Sequence, residues 1–236
     1  MTKKMTLYAL AAPIAAEQLL RSLMGTIHTF MLSRICDEAS AAVGVANQIL
    51  NLTVIAATMI ACGSAVLINQ RLGAGSEKQA GQVAANGIFV SAFCGLISSF
   101  IMICFARSMV TAIGLDPGLA PDACAYLRIV GASGVFQFGS TAIAAVFRCR
   151  GKAQIAMLAV TGNNAFNLLG SFLVVQEYLP IRGVSGVAWI RLISEGLGFV
   201  LLAIVLWQEK WGCRPSIQSF CLKTSLHILR LGFMTS

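Results

Sequence analysis

The chain has 236 residues, 57% of them hydrophobic and 11% charged, with a net charge of +8. A soluble domain carries about 25% charged residues, so this composition excludes an ordinary globular domain and points to an all-α integral membrane protein. Its basic residues lie mainly between apolar segments and never interleave with aromatics. That pattern sets topology in a lipid bilayer and argues against a nucleic-acid partner.

The first apolar segment, Leu7–Leu32, is long enough to cross a bilayer as a helix. It follows Lys3-Lys4 and contains small residues, as a signal peptide does. The apolar pattern nevertheless runs on past Glu17, and five more spans follow, so it reads as a retained helix. Within it, Arg21 falls about 40° and His28 about 20° from Glu17 around the helix axis. Ionisable groups on one narrow face cost several kcal/mol in lipid, so this face must look into a polar interior.

Five further spans are expected. The second runs from Ala41 to Ile68 and ends in a glycine-broken, charged turn at 70–78. The third covers Val83–Phe105. The fourth covers Ala123–Phe147 as one helix, closed by the basic turn 148–152. The fifth covers Ala153–Val175 and the sixth Val184–Trp207. A polar stretch, 208–224, then leads to an apolar tail that ends at Ser236. The tail reads either as an amphipathic helix on the membrane surface or as the opening turns of a seventh span. The expected division is therefore a six-helix lobe over 1–207 and a tail over 208–236.

Lysine and arginine are distributed unequally. One side receives Lys3, Lys4, Arg71, Lys78, Arg148, Arg150, Lys152, Lys210, Arg214, Lys223 and Arg230; the other receives only Arg34, Arg107 and Arg182. The positive-inside rule then makes both termini cytoplasmic in a multi-pass protein of the plasma membrane (the inner membrane if the cell is bacterial). The 8 cysteines include no Cys-x-x-Cys pair and lie mostly inside spans. They read as small packing residues rather than as a metal site or disulfide framework. No zinc-protease helix, phosphate-binding glycine loop or nucleophile elbow occurs, so no enzymatic activity is expected.

Polar side chains recur inside the other spans. Asn47 and Asn51 share a face of the second span, Gln137 sits near the middle of the fourth, and Arg191 and Glu195 stand one turn apart in the sixth. In the fifth, Asn167, Ser171 and Asn164 fall within about 100° of Asn163, forming one polar quadrant. Such groups can simply hold a bundle together, at about 0.6–2 kcal/mol per hydrogen bond. Glu17–Arg21 and Arg191–Glu195 can each be a neutralised pair. Polar faces on four or more helices, however, favour a water-lined path over a dry bundle. Tyr126 and Arg128 read as anchors at the membrane interface.

Several stretches together resemble the multidrug and toxic compound extrusion (MATE) family. They are 13–20 in the first span, 41–49 opening the second, 70–75 in the first basic turn, 126–129 and 147–152 at the ends of the fourth, Asn164-x-x-Asn167 in the fifth and 183–188 opening the sixth. The resemblance implies one lobe of a twelve-helix transporter that exchanges H⁺ or Na⁺ for amphipathic, often cationic small molecules, with no cofactor beyond the coupling ion. It also implies that His28, Asn167 and Ser171 occupy the positions of the first-lobe cation site. Glu17, Arg21, Asn47, Asn51, Gln137, Asn163, Asn164, Arg191 and Glu195 are the candidates to line the cavity.

Two of those positions depart from the family pattern. His28 stands where an aspartate is usual, and Ser171 where asparagine or aspartate is common. Serine does not titrate in this range and histidine offers Na⁺ no anionic ligand, whereas His28 can carry a proton. The departure tilts the coupling ion towards H⁺. The missing second lobe can come from a second copy of the chain or from a separate chain; the ending inside an apolar tail favours a truncated product. Two other readings stand beside this one. A lipid-linked sugar flippase would need a strongly cationic cavity, for which only Arg21 and Arg191 are available. A non-transporting membrane subunit or inactive fragment is the other; nothing marks a partner surface, and such a chain should be indifferent to conservative changes at His28 or Asn167.

Overall fold

The computed structural model describes residues 37–114, 118–176, 183–208 and 222–235, together with the single positions 15, 19 and 23. Among the described residues the elements are seven helices and no strands. They are α1 (Asp37–Gly73), α2 (Glu77–Ala112), α3 (Ala120–Ala132), α4 (Gly134–Cys149), α5 (Ala153–Val175), α6 (Gly183–Gln208) and α7 (Leu222–Thr235). α1, α2, α5 and α6 are each long and apolar enough to cross a membrane, and α3 with α4 forms a further, bent span. These are the second to sixth spans expected from sequence, and they make the chain a multi-pass membrane protein.

The helices expose large apolar side chains and bury small ones. On α2, Phe89, Phe93, Leu96, Phe100 and Ile103 recur at heptad spacing and are all exposed. The opposite face buries Ala84, Gly87, Ser91, Gly95, Ser99, Met102 and Ala106. This inverts the pattern of a soluble helix. In lipid the outer face gains nothing by hiding, and close helix packing needs small residues. The packing on that face is tight: a Cβ on Gly95 would come within 2.9 Å of the Val135 Cα, and one on Gly131 would strike the Met102 side chain. In the first span, Ala15, Leu19 and Leu23 are helical and exposed. They lie on the face opposite to the one on which periodicity places Glu17, Arg21 and His28.

The fourth span is not one helix, as its apolar length suggested. It breaks at Ser133, and α3 and α4 meet at a bend of 45°. The Ser133-Gly134 pair supplies the physical reason, since helix kinks gather at Gly/Ser pairs. The Ser133 hydroxyl donates to the Val130 carbonyl at 2.7 Å, competing with the helix ladder. Gly134 lets the broken segment press on α2, where a Cβ would sit 2.7 Å from the Ser99 Oγ.

Two turns built alike reverse the chain at one end of the bundle. Gly75 and Gly151 both take φ of +73°. After α1 the Ser76 N–H bonds back to the Arg71 carbonyl, and after α4 the Lys152 N–H bonds back to the Phe147 carbonyl. An L-residue at such a φ costs about 1–2 kcal/mol. Gly151→Ala is accordingly expected to destabilise the chain by about that amount, read as a lowered unfolding midpoint in detergent, whereas Gly44→Ala, at an open mid-helix position, should not.

The apolar tail forms α7 and packs along α1, burying Ser225, Ile228 and Gly232. The two helices cross backbone to backbone. A Cβ on Gly63 would collide with the Ile228 carbonyl and lie 2.7 Å from the Gly232 N, and one on Gly232 would collide with the Met59 carbonyl.

Candidate functional site

Arg191 is the polar centre of the described bundle. Carried inward by α6, its Nη1 donates to the Asn47 Oδ1 of α1 at 2.8 Å and to the Tyr126 hydroxyl of α3 at 3.1 Å. One guanidinium therefore ties three helices. Around it the packing is apolar: Val43, Ala46, Leu50, Leu127, Val130 and Val187 belong to the same buried cluster. Glu195, one turn further along α6, interacts with it electrostatically. A cation placed this deep needs charge and hydrogen-bond partners of this kind, because an unpaired charge away from water costs several kcal/mol.

Tyr126 corrects the sequence reading. It is fully buried and accepts from Arg191, rather than anchoring the chain at the membrane interface. Arg128 on the same helix is exposed. The signal was present in the spacing: Ala123, Tyr126, Leu127 and Val130 follow one helical stripe, and all four are buried.

Below the guanidinium, the bend at Ser133 leaves a cavity of about 20 Å³ lined by Thr53, Ser98, Ser133, Gln137 and Arg191 among others. That is room for about one water molecule with polar partners on several sides. Gln137, expected from sequence to line an interior cavity, lies here. Asn51 is exposed on α1, one turn from Asn47.

A second polar group lies between α5 and α6. Asn163, Asn164 and Asn167 are half-buried, and Ser171 is buried. Asn163 packs on Gly198 of α6, where an added Cβ would stand 3.3 Å from its Cγ. On these two helices four buried polar atoms have no hydrogen-bond partner among the described residues: Thr161 Oγ1, Asn163 Oδ1, Asn164 Nδ2 and, from α6, Ser194 Oγ. Native interiors rarely leave such atoms unmatched, so this face has capacity for water or a small polar ligand. Its oxygens are neutral amide and hydroxyl groups, which can solvate a cation without neutralising it. Thr161 and Ser194 were not singled out from sequence, because hydroxyl residues are common in membrane helices. Glu17, Arg21 and His28 lie outside the described residues. No group of three or more His, Cys, Asp or Glu side chains comes together among the described residues.

The fold and these polar groups can be set beside known proteins. The chain is 34% identical over 206 residues to the uncharacterized transporter YisQ of Bacillus subtilis, an alignment covering 86% of this chain and 45% of that protein. It is 27% identical over 237 residues to the probable multidrug resistance protein NorM of Thermotoga maritima, covering 98% of this chain and 50% of that one. Its structure superposes with a TM-score of 0.87 on an outward-facing multidrug resistance MATE family transporter of the MOP superfamily, at 21% identity over 95% of this chain and 50% of the other. The chain thus spans about half the length of the curated relatives it matches. With the MatE family model matching residues 13–173, the chain belongs to the MatE family.

Proposed function

We propose that this chain supplies one lobe of a multidrug efflux antiporter, exporting amphipathic cationic compounds in exchange for H⁺ or Na⁺. The observation that carries the reading is the pair of polar groups inside an apolar bundle, on α1, α3 and α6 and on α5 and α6, in a chain matched to half of NorM. Polar side chains that deep are costly unless they are paired or meet water, and clusters of them mark solute or ion paths in membrane proteins. Residues 1–207 form the lobe, and α7 opens the second one. Both termini face the cytoplasm, in keeping with the lysine and arginine bias. The protein carries out no covalent chemistry.

Within this reading the coupling ion is met by His28, Asn167 and Ser171, and unmatched hydroxyl and amide groups occur on α5, which carries Asn167 and Ser171, and on the adjoining α6. A proton is the favoured ion, since an imidazole can carry one and a serine hydroxyl cannot. Alternating access needs a facing lobe, whichever polypeptide supplies it. The flippase alternative loses support at Arg191, whose guanidinium is engaged by Asn47 and Tyr126 rather than held open for a pyrophosphate.

The test is efflux of a cationic dye from cells stripped of their own exporters. The chain would be expressed at verified membrane level, alone and with a family second lobe supplied in trans. Export that collapses with an uncoupler is expected in at least one of the two conditions. Within it, His28→Ala should lower the pH-driven rate about 100-fold or more, the loss typical of a proton-transfer group, and Asn167→Ala should lower it as well by removing a neutral ligand of the ion. Full efflux in His28→Ala at normal expression would remove the histidine from the coupling scheme. Absence of export in both conditions would leave the non-transporting subunit as the better reading.

A further inference from the structure

We propose that the groove between α1 and α4 at the basic end of the bundle is a binding site for an anionic phospholipid. On α1, Cys62, Ala65 and Asn69 recur every three to four residues, and on α4 so do Ala145 and Arg148; the two stripes face each other, with Arg150 at the following turn. They enclose an open groove of about 560 Å³. That lies within the range of about 300–1,000 Å³ typical of small-molecule sites. The floor is closed where the Cys149 thiol meets the Ala65 carbonyl at 3.7 Å.

The lining sorts by depth into two chemistries. Towards the middle of the span the wall is Ala61, Ala65 and Ala145, with Thr58 and Thr141 whose hydroxyls donate back to the Val54 and Gln137 carbonyls of their own helices, and the two guanidiniums stand at its end, where α4 passes into the turn. No carboxylate is among the described lining residues, so the mouth is cationic. An amphipathic cation, the class proposed for export, is repelled there, which separates this groove from the export path. A phosphodiester headgroup with an acyl chain matches both parts. The phosphate takes charge-assisted hydrogen bonds from arginine, and the chain lies on the alanine wall. Basic pockets between helices at the cytoplasmic face are suited to anionic headgroups.

The experiment is titration of the purified full chain in detergent with phosphatidylglycerol or with phosphatidylcholine, read by native mass spectrometry. Phosphatidylglycerol should be retained on the order of tenfold more strongly than phosphatidylcholine, and R148Q/R150Q should erase that preference. Ala145→Leu, which narrows the apolar wall and leaves the arginines in place, should weaken retention of phosphatidylglycerol as well. It keeps the test decisive if the double variant aggregates. Equal retention of the two lipids by the native chain would overturn the proposal. So would a folded R148Q/R150Q chain that still prefers phosphatidylglycerol. Displacement of the lipid by inorganic phosphate, with Ala145→Leu having no effect, would identify a small-anion site and equally overturn it.

Discussion

Arg191→Leu is expected to destabilise the bundle by about 2–4 kcal/mol and to abolish any transport in which the chain takes part. The magnitude follows from what the guanidinium holds. Its two interhelical hydrogen bonds, to Asn47 and to Tyr126, have a charged donor and are partly buried. Bonds to charged groups contribute about 1.5–3 kcal/mol each in soluble interiors, but nearer 0.6 kcal/mol between membrane helices. Removing the arginine also strands the Asn47 amide and the buried Tyr126 hydroxyl, and takes away the cation that Glu195 faces. The three losses together set the range. Tyr126→Phe removes one acceptor only and should cost about 1 kcal/mol. Arg191→Lys keeps the charge but replaces a planar fork with a single ammonium, and should fall between the two. Thermal unfolding in detergent measures all three. An Arg191→Leu chain as stable as the native one would mean that the three helices are held by packing alone.

Much of this arrangement is legible in the sequence, and the reasons for the exceptions are specific. α5 has the bounds that hydropathy assigns it, Ala153–Val175, because a basic turn and a polar loop punctuate both ends. Its polar quadrant follows from a period of 3.6 residues and needs no partner to be seen. The bend at Ser133 escapes a hydropathy reading, which counts serine and glycine as tolerable members of a span. What breaks the helix is their adjacency. The burial of Tyr126 runs against the usual pattern, in which a tyrosine near a span end is an interface anchor. Its partner lies 65 positions away in sequence, and only the tertiary register brings the two side chains together. Glycine contacts follow the same logic. The sequence contains 22 glycines, but which two meet depends on the crossing point of helices far apart in the chain.

That dependence gives the second large effect, at the crossing of α1 and α7. Gly63→Val should detach α7 from α1 while leaving the rest of the bundle assembled. The clash is with backbone, the Ile228 carbonyl and the Gly232 N–H, so no rotamer change relieves it. Overpacking of this kind costs about 1–3 kcal/mol when a structure can adjust. α7 has little else to hold it. Its buried positions are Ser225, Ile228 and Gly232, while Leu226, Leu229 and Phe233 are exposed. The cheapest adjustment is therefore for α7 to move away. Amide exchange over 222–235 should accelerate roughly 30- to 150-fold, the equivalent of about 2–3 kcal/mol of lost local stability. Exchange in α2 and α6 should not change. Gly232→Val, which meets the Met59 carbonyl from the other side, should reproduce the effect. Gly44→Val, with open space around its added side chain, should not. If protection of α7 survives both crossing variants, the close approach of the two glycines is not what seats it. If it is lost, the same variants measure the role of α7 in transport. In the proposed antiporter α7 opens the second lobe, so a detached α7 uncouples the two lobes, and dye efflux in the two-lobe assembly should fall even though the polar groups around Arg191 and on α5 are untouched.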